Sequence, residues 1–119
     1  MRLNARVATI AASLIVLCIA AVPALAARSH AHATGVTVTA SEFKFKLSKA
    51  SVPAGPVTFS VTNKGKIPHD FKIAGKKTPF LKPGKSAKLT VTLKKGKNAY
   101  VCSVPGHAAL GMKGTLTAK

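Results

Sequence analysis

Gly55-Pro56-Val57-Thr58-Phe59-Ser60-Val61-Thr62-Asn63 carries an apolar side chain at every second position, Val57, Phe59 and Val61, with threonine and serine between them. A period of two describes a strand with one face in a core and the other in water. The same pattern recurs on both sides. Upstream lie Val36 and Val38, then Phe43, Phe45 and Leu47; downstream lie Phe71 and Ile73, then Leu89, Val91 and Leu93. Turn residues separate the runs, at Val52-Pro53-Ala54-Gly55-Pro56, Asn63-Lys64-Gly65, Ala74-Gly75, Pro83-Gly84 and Gly96, and no run keeps a helical period. Short strands at this spacing predict an all-β fold, an antiparallel Greek-key β-sandwich of seven or eight strands.

The alternation begins only at Gly35. Residues 1–26 open with Arg2 and Arg6, run apolar from Val7 to Val22 and end in Pro23-Ala24-Leu25-Ala26, the layout of a cleaved secretory signal peptide. The competing reading is an N-terminal membrane anchor, because no charge falls between Arg6 and Arg28. Cys18 does not suggest a lipoprotein, since bulky Ile15-Val16-Leu17 precedes it. Residues 27–34 read as a linker and residues 35–119 as one small domain, expected to be a monomer in the periplasm or outside the cell.

Composition narrows the partners. Loss of Arg2 and Arg6 with the signal leaves 17 of the 19 basic residues against Glu42 and Asp70, a net charge of +15. Such a field draws acidic partners or an anionic cell surface. Nucleic acid is not expected: the lysines are scattered over the turns, and the few aromatics fall on inward strand positions, which leaves no stacking platform.

Cleavage would also make Cys102 the one cysteine of the mature chain. A lone thiol exported to an oxidising compartment has no disulfide partner and calls for another role. Its surroundings supply one. In Cys102-Ser103-Val104-Pro105-Gly106-His107-Ala108-Ala109-Leu110-Gly111-Met112 the thiol, an imidazole and a thioether follow at equal spacing. Of the histidines in the folded region only His69 remains to add a second imidazole, and the period of two puts it on the inward face with Phe71 and Ile73. Thiolate, two imidazoles and a weak thioether suit copper in both oxidation states. Zinc is served poorly by a thioether.

On Pro68-His69-Asp70 and Cys102-x4-His107-x4-Met112 followed by Gly114, the sequence resembles the cupredoxin family, in particular plastocyanin-like and auracyanin-like blue-copper proteins. The Cys-to-His spacing is longer than in plastocyanin and closer to auracyanin-like and rusticyanin-like loops. The resemblance implies equatorial ligands at His69, Cys102 and His107, an axial ligand at Met112, and a hydrogen bond between the residues after the first histidine and after the cysteine, here Asp70 and Ser103. It also implies that His107 sits near the surface as the electron port, here within a collar of uncharged residues from Pro105 to Leu110.

The expected function is therefore that of an exported type 1 copper protein carrying one Cu(I)/Cu(II) ion, which shuttles single electrons between redox partners with acidic docking surfaces. It is not expected to be an enzyme, since four protein ligands leave no open position for substrate. The alternative is a copper-binding protein for storage, delivery or detoxification, in which His30 and His32 could hold a second ion.

Overall fold

The computed structural model describes residues 32–119. The signal peptide expected over 1–26, His30 and most of the expected linker lie outside the described residues. Nine strands are present among them: β1 (Thr34–Ser41), β2 (Lys44–Leu47), β3 (Ser51–Val52), β4 (Gly55–Asn63), β5 (Lys72–Ile73), β6 (Lys76–Lys77), β7 (Ser86–Leu93), β8 (Gly96–Val101) and β9 (Lys113–Ala118). They form two sheets, ordered β2-β1-β4-β7 and β3-β9-β8-β5-β6.

The β-sandwich expected from the alternation is the observed architecture, with two refinements. The count exceeds the expected seven or eight because β3 and β6 are two-residue strands, too short to show a period. The sheets are also mixed, since β1 runs parallel to β4 and β3 parallel to β9. After the β1–β2 hairpin the chain crosses to the second sheet at β3 before β4 returns beside β1, and that detour lets β4 point the same way as β1. Strand β1 begins at Thr34, opposite Val57 of β4, one residue earlier than the sequence pattern suggested.

The inward positions meet in one cluster. Val36, Val38, Val57, Phe59, Val61, Val91 and Leu93 of the first sheet pack against Phe71, Ile73, Leu116 and Ala118 of the second. Each large side chain so buried contributes roughly 1.5–3 kcal/mol from its removal from water. A smaller cluster of Ala40, Cys102 and Met112, flanked by Phe43, Phe45 and Val104, sits beside the first.

Between the clusters one polar residue organises the loop that follows β4. Asn63 is fully buried. Its side-chain amide donates to the carbonyls of Ile67 (2.8 Å) and Leu81 (2.7 Å), and its Oδ1 accepts from the Gly65 N–H (2.8 Å). Leu81 pairs in turn with His69 through two backbone bonds of 3.1 and 2.7 Å. The Leu81 carbonyl thus accepts from both Asn63 and His69, which ties the position of the histidine to the end of β4.

Asn63→Ala should destabilise the metal-free protein by about 2 kcal/mol, because it strips partners from buried backbone groups. Thermal or urea unfolding measures this. A loss below about 0.5 kcal/mol, typical of a surface change, would show that Asn63 does not hold the loop.

Candidate metal centre

Strand β8 ends at Val101, and the chain leaves it through Cys102 into a tight turn that returns as β9. The Cys102 N–H donates to the Met112 carbonyl (3.0 Å), and the Met112 N–H donates to the His107 carbonyl (3.1 Å). These bonds hold cysteine, histidine and methionine in one closed loop. Gly111 makes the last corner with φ of 104°, a conformation that side chains with a Cβ rarely adopt.

The second histidine arrives from the far side of the chain. His69 Nδ1 lies 3.1 Å from His107 Nδ1 and 4.0 Å from Cys102 Sγ, and His107 Nδ1 lies 3.6 Å from the same sulfur. His69, Cys102 and His107 are the group of potential metal ligands found among the described residues, with their donor atoms within 4.8 Å of one another. All three are buried, His107 the least completely at 8% exposure. Met112 is fully buried in the same small cluster as Cys102.

The chemistry of this set fits a soft cation. Two imidazole nitrogens and a sulfur converge on one another, and a single shared proton can satisfy only the nitrogen pair, whereas a cation would satisfy all three donors. Burial pushes the Cys102 thiol up from its ordinary value, and the nearby Asp70 charge adds to the rise. Binding a metal therefore entails release of that proton.

Supporting contacts surround the donors. Asp70, directly after His69, accepts from the Ser103 N–H (2.6 Å) and from the Ser103 hydroxyl, so the bond expected between these positions is present. Simple alternation would turn Asp70 outward; it is 1% exposed, because Ser103 satisfies it inside. Phe43 places its ring edge-on to His107, with centroids 5.0 Å apart.

Glu42 is the functional neighbour that sequence reasoning missed. It lies in the β1–β2 turn, and its Oε1 accepts from His69 Nε2 (3.1 Å), Lys66 N–H (2.7 Å) and Ile67 N–H (3.0 Å). Partial burial disfavours its charge, but those backbone donors and the histidine outweigh it and hold the carboxyl down at about 2. A Cβ at Gly65 would run into this carboxylate, so a side chain there would displace the Glu42 head group from its present place. The one available signal was scarcity: Glu42 is one of two acids among 19 basic residues.

Comparison with known proteins places the fold. The cupredoxin-like domain model matches residues 9–118. Among solved structures, sodium-dithionite-reduced auracyanin from the photosynthetic bacterium Roseiflexus castenholzii superposes with a TM-score of 0.64 at 22% identity, covering 73% of this chain and 98% of that one. Auracyanin B gives 0.62 at 24% identity over 73% and 89%. The azurin iso-2 of Methylomonas sp. strain J gives 0.59 at 19% identity over 74% and 99%. No curated protein matches the sequence. At these identities the solved structures speak for a common fold, and the domain match extends over nearly the whole sequence, so the chain belongs to the cupredoxin-like family.

Proposed function

We propose that this protein is an exported mononuclear type 1 copper protein that carries single electrons between redox partners. His69, Cys102, His107 and Met112 would hold the ion. The observation that carries the reading is the convergence of two imidazole Nδ1 atoms and one thiol within 4.8 Å, with a buried methionine in the same cluster. Copper bound there supplies a one-electron couple, and the mixed hard and soft donors suit both of its oxidation states.

The chain's own residues then do three things. The loop carrying His69 and the β8–β9 turn are fixed by backbone bonds, so the ligands need not rearrange between oxidation states. Phe43, Phe45 and Val104 pack around Cys102 and Met112 and exclude water. Leu110, whose N–H bonds to the His107 carbonyl, is 62% exposed and gives a partner an apolar contact that requires no desolvation of charge.

No catalysis is assigned to the protein, because four protein donors leave no position for substrate. The N-terminal sequence and the unpaired Cys102 support export to the periplasm or cell exterior. Every lysine among the described residues is exposed, which supports docking to a partner with an acidic surface.

Addition of Cu(II) should produce an intense thiolate-to-copper absorption band that Cys102→Ser abolishes; the same band in the mutant would remove the cysteine from the centre. Met112→Gln should keep the blue site and lower its reduction potential, since an oxygen donor favours Cu(II) over a thioether. Potentiometry showing no shift would leave Met112 as core packing. Electron transfer to an acidic partner should slow as salt rises, because the Debye length shrinks from about 10 Å at 0.1 M to about 3 Å at 1 M. Leu110→Glu should slow transfer at every salt concentration. Stopped-flow rates that stay flat with salt would detach the lysine excess from partner docking.

A further inference from the structure

We propose that Glu42 is a positioning residue for the metal centre: its carboxylate fixes His69 as the Nε2–H tautomer and its charge favours Cu(II) over Cu(I). The inference rests on the copper reading above and concerns what lies behind the ligands.

The contact is specific. A single oxygen, Oε1, accepts from His69 Nε2 and from the backbone N–H groups of Lys66 and Ile67. A carboxylate offers only acceptors, so the ring nitrogen facing it carries the proton. The lone pair of His69 then resides on Nδ1, which faces Cys102 Sγ at 4.0 Å and His107 Nδ1 at 3.1 Å. Glu42 is not a further donor to the metal, because it meets the opposite edge of the ring from the converging atoms.

The same carboxylate gathers the loop that delivers the histidine. Gly65 lies against it, where a Cβ would meet the carboxylate as it now sits, and Lys66 and Ile67 bond to it just before Pro68 and His69. A carboxylate behind a ligating imidazole raises the basicity of that ligand. Added negative charge near the ion stabilises the more positive oxidation state. Both effects act in one direction. In a chain with 19 basic residues and two acids, both acids are spent on this site, Asp70 on Ser103 and Glu42 on His69.

Glu42→Gln tests the charge, since its amide carbonyl can still accept the same three bonds. The variant should remain blue, and its Cu(II)/Cu(I) equilibrium should move about tenfold toward Cu(I), a potential about 59 mV higher for one electron. Glu42→Ala tests the tautomer. In metal-free protein, nitrogen NMR of the His69 ring should show a single Nε2–H form in the wild type and a mixture in this variant. An unchanged potential in a blue Glu42→Gln protein, or wild-type His69 protonated at Nδ1, overturns the proposal. A wild-type protein that never turns blue with Cu(II) overturns the copper reading and this proposal together.

Discussion

The pair of hydrogen bonds from Ser103 to the Asp70 carboxylate is the constraint on which the centre depends. Asp70 follows His69 and Ser103 follows Cys102, so joining these two residues brings together ligands that lie 33 positions apart in sequence. A carboxylate accepting from an N–H and a hydroxyl makes charge-assisted bonds, about twice as strong as neutral ones. The cost of burying its charge is met inside the protein rather than by water. Everything else at the site adjusts around that junction: the Leu81 bridge braces His69 from the other strand, Asn63 braces Leu81, and the β8–β9 turn folds His107 and Met112 back over Cys102.

The sandwich was legible in the sequence because its two sheets are amphipathic. Val57, Phe59 and Val61 alternate with Thr and Ser, and the buried face follows that alternation residue by residue. Mixed pairing was not legible, since a strand's period says nothing about its neighbour's direction. The loop that gathers Cys102, His107 and Met112 was legible as well. Cys102, His107 and Met112 are close in sequence, and an exported cysteine without a partner is itself a signal. The support behind His69 was hidden for the opposite reason. Glu42 reaches it across 27 positions from a hairpin turn whose residues look like solvent-facing connectors. Asn63 read as a turn residue, whereas it is the last residue of β4, and its donation to Leu81 depends on a contact 18 positions away.

Charge is divided by depth in this molecule. The lysines of the described residues all lie on the surface, where water and salt screen their mutual repulsion. The two carboxylates bond around the histidine and cysteine loops, Asp70 buried, where low dielectric strengthens its bonds, and Glu42 only partly so. The outer layer therefore governs encounter with other molecules and the inner layer governs the ligands, so changes to one should leave the other largely intact.

The most direct test of the account is X-ray absorption at the copper edge of the loaded protein, oxidised and reduced. The near shell should contain two nitrogens and one sulfur in both states, with little change in their distances, because the ligands are fixed by backbone and side-chain bonds that do not involve the metal. A near shell of nitrogen and oxygen alone, or one that loses a histidine on reduction, would contradict a copper centre built from His69, Cys102 and His107.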